Sequence, residues 1–394
     1  MRGEVPQGLK PGIEKVETAR LKPCPFKATD IMQNSPEWVL AINPGSMSTK
    51  FAVYGGEHAV LVRNAKHSDE EMEGFRGKAI LEQQEFRSAQ IEAALGDAGV
   101  EIGRLNAVVG RGGLLPPLAS GTYEVSDAMI EELRLARRGE HASNLGAVLA
   151  KRIADKAGVT AYVVDPVSVD EWNEVARLSG SVLLERQALS HALNSKAVAK
   201  RYAREQGKAY ESLRLIVAHL GSGISVSAHE DGRMVDVTNS REEGAFSTER
   251  AGGVPAMQLV ELCYGGRYSK KEVEALLFRE GGLQSYLGTK DLEEVERRIV
   301  AGGERAAMVF QAMAYQIAKE IGAMAAVLRG RVDALLFTGG MAHSQRLVRE
   351  LRDYVGWIAS ASVYPGEDEL QALAEGALRV LRGEERAREF GHSD

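Results

Sequence analysis

Three glycine-bearing turns each follow an apolar, β-prone run: Asn43-Pro44-Gly45-Ser46, Gly221-Ser222-Gly223 and Gly339-Gly340. Glycine lets backbone N–H groups approach a phosphate without a Cβ in the way, and serine hydroxyls add donors. Any one such turn is also what an ordinary hairpin contains. Two arginines stand in comparable surroundings, Arg111 between Gly110 and Gly112-Gly113, and Arg250 before Ala251-Gly252. Glycine on both sides of Arg111 would let its backbone approach a ligand while the guanidinium grips a carboxylate or phosphate bidentately. A solvated loop arginine is the other reading of each. Asp165, followed by Pro166, closes the apolar run Tyr162-Val163-Val164, a position suited to Mg²⁺ or to an acceptor site, or to a simple local turn. His141 and His191 each open a helix-like segment. Glu367-Asp368-Glu369 precedes another helix, whose positive N-terminus acidic residues favour in any case. Asn43 suits a turn cap and Lys50 a solvated strand edge. A purely structural role is expected of His58, His67, His229, His343 and His392.

No G-x-x-x-x-G-K-[ST] loop occurs, nor a G-x-G-x-x-G before a helix, so the P-loop and Rossmann readings lose their main support. The turns gain meaning from the elements around them. Strand-like runs at 39–43, 51–54 and 59–65 form a meander with tight turns, followed by helical segments at 78–98, 127–137 and 145–157 and buried strands at 106–110 and 161–164. Strands alternating with helices imply parallel crossovers. The same order recurs at 214–220, 224–229 and 234–238, then a long helical stretch at 304–328 and a strand at 332–338 running into Gly339-Gly340. Two such meanders about 175 residues apart suggest an internal duplication with a nucleotide held between its halves; a chance likeness of two hairpins is the alternative. Residues 368–383 place Leu370, Leu373, Ala374, Ala377, Leu378 and Leu381 on one helical face, the pattern of a helix packed on a core.

With 394 residues, two domains are expected. A net charge of −6 leaves no general basic field for nucleic acid or anionic lipid. Two cysteines, Cys24 and Cys263, are too few for a disulfide framework, which points to a reducing, cytoplasmic setting. No apolar run is long enough to span a bilayer, and residues 1–37 lack the apolar core of a signal peptide. They read as a poorly ordered extension, with a translation start at Met32 as the alternative.

VLAINPGSMSTKFAVY resembles the opening phosphate motif of the butyrate kinases and their acetate kinase cousins. The resemblance continues, in order, through VVGRGG, VVDPVSVDEW, SHALNSKAVAK, VAHLGSGISVSAHEDGRMVDVTN, FSTERAGGVP and LLFTGGMAH, from Trp38 to about Gly383. It implies an α/β fold of two duplicated ribonuclease-H-like domains, as in the actin-like ATPases, with an interdomain cleft. The first would span 38–166, with a C-terminal helix at about 370–390 packing back on it, and the second 167–369. It also implies a carboxylate kinase using ATP/ADP and Mg²⁺ on a short-chain carboxylic acid or acyl phosphate, as a homodimer or higher oligomer, with no nucleic acid or membrane partner.

Residue by residue, the resemblance assigns Asn43, Arg111, Asp165, His191 and Arg250 to catalysis, and His141 with Arg111 to the acid. Ser46, Ser48, Lys50, His219, Gly221, Ser222, Gly223, Gly339 and Gly340 go to ATP, and Glu369 (with Asp368 close behind) and Asp165 to the metal, through ATP or water. The chain departs from the butyrate kinases' usual GPFSPERAG at Gly244 to Gly252. It also has Ser222 where they commonly carry Gly, Ser190 for Phe and Met47 for Thr. Ser190 and Met47 leave the length and branching of the acid open. Other small-acceptor kinases, acting on acetate, propionate, a branched acid or a sugar, are the nearest alternatives. A non-enzymatic nucleotide switch is a more distant one.

Overall fold

The computed structural model describes residues 37–391; the expectations for residues 1–36 and His392 lie outside them. Strands β1 (Trp38–Pro44), β2 (Ser48–Gly55) and β3 (His58–Lys66) form the antiparallel meander expected at the start of the chain. Strands β4 (Ala107–Arg111) and β6 (Thr160–Val164) extend it in parallel, and β5 (Thr122–Glu124) closes the edge, giving the order β3-β2-β1-β4-β6-β5. The second sheet repeats the plan. Strands β7 (Leu215–Leu220), β8 (Ile224–Glu230) and β9 (Arg233–Val237) are antiparallel, and β10 (Ala334–Gly339) and β11 (Ala361–Pro365) add in parallel, in the order β11-β10-β7-β8-β9. The central strands are buried on both faces, which is why they read as continuous apolar runs rather than alternations.

Each sheet has its own core. Helix α1 (Gln84–Asp97) and helix α2 (Asn144–Ala157) cover one face of the first sheet, and Gly158 in the left-handed conformation ends α2. Helix α3 (Ala192–Glu205) lays Val198, Ala199 and Ala203 on the second sheet, whose other face is covered by helix α4 (Glu304–Val327) through Phe310, Met313, Ile317 and Ile321. Helix α5 (Gln345–Val355) packs beside α4. Helix α6 (Glu369–Leu381) crosses back, burying Leu373, Ala374, Ala377 and Leu378 on the first sheet together with Leu193 of α3. The α3–α6 pair therefore stands between the sheets.

Several boundaries differ from expectation. The segment expected to be helical from 78 starts as a 3-10 turn, Ile80–Gln83, because no Ser, Thr, Asp or Asn caps it. The C-terminal helix stops at Leu381 rather than near 390, and the chain then pairs with β5: Arg388 N donates to Thr122 O at 2.8 Å and Glu124 N to Arg388 O at 3.0 Å. Arg111 is the last residue of β4 rather than a loop residue. Its glycines also have another purpose than ligand approach. A Cβ on Gly110 would lie 2.0 Å from Gly146 O of α2, and one on Gly112 2.4 Å from Pro166 Cβ just after β6, so close packing on a helix and on a neighbouring loop demands them. Strands β5 and β11 went unmarked in the sequence, one being three residues long and the other a half-exposed edge. So did the helices Ala256–Tyr264, Lys270–Phe278 and Leu292–Val300, which bury at most one residue each. Among the described residues no helix is long and apolar enough to cross a membrane.

Candidate active site

Asn43 at the end of β1 donates from Nδ2 to Glu369 Oε2, in the first turn of α6. Arg111 Nη1 donates to the same carboxylate oxygen at 3.0 Å and lies 3.4 Å from Asn43 Oδ1. Two strand ends and a helix start thus meet in one clamp. Beside it the 45–48 turn exposes the side chains of Ser46 and Met47, while Ser48 is half-buried and Lys50 exposed.

Beside the second sheet, His191 precedes the first turn of α3 without a side-chain cap, its Nδ1 3.0 Å from Ser225 Oγ of β8. Its ring stacks on His219 at a centroid distance of 3.8 Å. His219 is buried, with Nδ1 2.9 Å from Asn194 Oδ1 and Nε2 3.0 Å from Glu367 Oε1. The His219 contact, with the charges of Arg111 and Lys50, holds the Glu367 carboxyl below its usual range against the opposing effect of burial.

Arg250 donates from Nη1 to Ser240 O at 2.9 Å. Its loop is pinned by the fully buried Ser247, whose hydroxyl donates to Ser222 O and accepts from Arg250 N at 3.1 Å. The guanidinium lies close against Gly223, where a Cβ would stand 2.5 Å from Nη1. Burial lowers the Arg250 pKa.

Burial pushes the His191 pKa well below its ordinary value, and the charges of His219, Arg250 and Arg111 add to this. His141 opens to solvent, its Nδ1 2.8 Å from Ser143 Oγ. Its pKa is also lowered, first by desolvation and then by Arg111 and Arg250. Both arginines, one at the end of β4 and one in the loop after β9, act on both histidines. Neutral imidazoles and guanidinium forks in that setting are donors for a phosphoryl group and a carboxylate.

Asp165 stands apart. At φ +38° it turns Oδ1 to Ser120 Oγ at 2.6 Å and Gly121 N at 2.8 Å, and its charge acts on Lys200 and Tyr210 rather than entering the Arg111–Glu369 clamp. Behind Gly221 and Ser222 a cavity of about 930 Å³ opens, bordered by Gly340, Lys290, Arg297 and Arg346. Gly340 faces open space, whereas Gly339, at φ +89°, is required by packing: its Cβ would lie 2.4 Å from Leu220 O. His343, read as structural, lines this cavity. Ser190 is buried, with its hydroxyl against Met234 Sδ. His67 and His229 are buried with hydroxyl partners, and His58 is exposed.

Sequence reasoning missed Arg87, which holds the 45–48 turn from behind, and the supporting Asn194, Ser225 and Ser240. Asn194 and Ser225 sit inside motifs that were noticed; Arg87 carries no sequence signal beyond a charge in a helical segment. For the expected metal, no group of three or more His, Cys, Asp or Glu side chains converges among the described residues. Glu369 has Oε2 engaged, and among the described residues Oε1 takes no hydrogen bond. That single open carboxylate oxygen fits an ion held mainly by nucleotide phosphates rather than by a protein cage.

The two mixed sheets and the helices that cover them form an α/β fold that is shared with solved acetate and propionate kinases. Acetate kinase of Porphyromonas gingivalis superposes with a TM-score of 0.73 at 20% identity, over 88% of this chain and 100% of that one. A propionate kinase from Francisella tularensis subsp. tularensis SCHU S4 gives 0.66 at 17%, over 86% and 98%. Acetate kinase from Entamoeba histolytica gives 0.69 at 15%, over 87% and 99%. Residues 183–356, somewhat under half of the 394, match the model of the Acetokinase family.

Proposed function

We propose that this protein is a carboxylate kinase, moving a phosphoryl group reversibly between ATP and a short-chain fatty acid, with butanoate + ATP = butanoyl phosphate + ADP as the working reaction. The observation that supports this reading is that Arg111, at the end of β4 in the Asn43–Glu369 clamp, and Arg250, in the loop after β9 against Gly223, both act electrostatically on His141 and His191. A carboxylate is already a nucleophile, so the site has only to hold it in line with the γ-phosphate and neutralise the equatorial oxygens. Arg250 and neutral His191 suit the transferring group, Arg111 and His141 the acid. Asn43 and Glu369 orient Arg111, and Asp165 holds the Ser120 turn. The cavity behind Gly221 has room for the nucleoside. Mg²⁺, held through ATP by Glu369, supplies charge neutralisation when bound.

A four- or five-carbon acid is the preferred substrate in this reading, on the strength of the butyrate-kinase-like segments around Asp165 and Ser247 to Gly252. Acetate or propionate is the second reading, favoured by what the similar solved structures are named for. Each extra buried methylene contributes about 0.8 kcal/mol, so two favour butyrate over acetate roughly fifteenfold in an apolar, fitted pocket. ATP turnover with acetate, propionate, butyrate, isobutyrate and isovalerate, the acyl phosphate trapped with hydroxylamine, tests both levels. Acetate winning by tenfold removes the butyrate assignment; no acid-dependent turnover removes the kinase. A cytoplasmic homodimer accompanies the proposal, and light scattering of the purified protein checks the dimer.

A further inference from the structure

Arg87 of α1 is fully buried, and among the described residues no carboxylate pairs with it. A charge in that position is costly unless its field is answered. The guanidinium spends its donors on neutral oxygens. Nη1 donates to Gly45 O at 2.8 Å, Ser48 O at 3.0 Å and Thr49 Oγ1 at 3.0 Å. Nη2 donates to Ser46 O at 3.0 Å and Gln83 Oε1 at 2.7 Å, and Nε to the same Gln83 oxygen at 2.9 Å. The one remaining carbonyl of the turn, Met47 O, accepts from His67 N at 2.9 Å. Every carbonyl from 45 to 48 is thereby engaged, while the N–H groups of Ser46 and Met47 take no partner among the described residues and their side chains are exposed.

We infer that Arg87 is a positioning residue whose unanswered charge is completed by the phosphoryl group of the substrate, across the 45–48 turn. Its forked donors hold the turn so that free N–H groups remain for an anion, and its charge adds to their field. The anion belongs to the proposed kinase site, so the inference rests on that reading, but it is decided by binding rather than by turnover. The probe is inorganic pyrophosphate, titrated calorimetrically against the full chain and against Arg87→Lys and Arg87→Met.

Arg87→Lys keeps a cation but cannot span three carbonyls. It is expected to weaken pyrophosphate about tenfold, and Arg87→Met more than that, each being the loss of a charge-assisted contact set. Amide exchange in the 44–50 segment should quicken in both. Where the variants are active, KM for ATP rises while KM for the acid stays within about twofold, a split that general destabilisation does not produce. If neither variant folds, Gln83→Met leaves the cation in place but removes the acceptor that orients it, and the same split is expected at smaller size. Unchanged pyrophosphate affinity in a folded variant, or equal losses for ATP and acid, overturns the inference. Wild type that binds pyrophosphate yet turns over no acid overturns only the kinase reading.

Discussion

Gly223→Ala isolates the placement of Arg250 from its presence. The backbone there needs no left-handed conformation, so the methyl group itself is the perturbation. Its carbon would sit 2.5 Å from Nη1 and 2.8 Å from Cζ of Arg250, where comfortable contact requires about 3.5 Å. The guanidinium must retreat by about 1 Å. It is also held by Ser240 O at 2.9 Å and by the Ser247-pinned loop, so the movement strips a bond rather than sliding freely. A displacement of that size at a reacting centre costs on the order of 10²-fold in rate. The cost to folding is confined to one half-buried side chain and should stay near 1 kcal/mol. Steady-state kinetics with a saturating acid, beside a thermal melt, read the two effects separately. Expected is a kcat down roughly a hundredfold with Tm lowered by only a few degrees. A kcat within threefold of wild type would mean that Arg250 does not act from the position it occupies against Gly223.

His141 should titrate below the ordinary histidine range, because desolvation and the two arginines disfavour its charged form. In Arg111→Met one of those cations is gone, so the imidazole signal, followed by NMR from pH 5 to 8, is expected to move its midpoint upward; an unmoved midpoint separates the two residues. His229 makes a second pH prediction. Burial lowers its pKa from 6.5 to about 3, so the unfolded chain binds the proton more readily. Its contribution to stability is complete above about pH 6.5 and declines as pH falls toward 3, by about 1.4 kcal/mol per unit. Urea unfolding at pH 7 and pH 5 should therefore show about 2 kcal/mol more loss in wild type than in a folded His229→Gln protein; equal losses contradict it.

The residues in sequence established more of the plan than of the site. Buried strands announce themselves as apolar runs because both faces need Val, Ile and Leu, and hairpins because their turns need glycine; hence both meanders and their repetition were readable. The face of α6 was readable for the same reason, since helical spacing alone fixes which leucines share a side. Candidate chemistry-bearing residues could be nominated because guanidinium and imidazole groups next to glycine turns have few other uses in concert. Their company could not. That Arg111 meets Glu369 across 258 positions, that Arg250 rests on Gly223, and that Arg87 braces a turn some forty residues away depend on how two sheets and the α3–α6 pair stack. Such pairings are set by tertiary distance, which no local spacing encodes. Asp165 illustrates the same division from the other side: its place at the end of an apolar strand was evident from the sequence, but the left-handed φ and the turn of its carboxylate to Ser120 and Gly121, some forty-five residues earlier, belong to the tertiary structure.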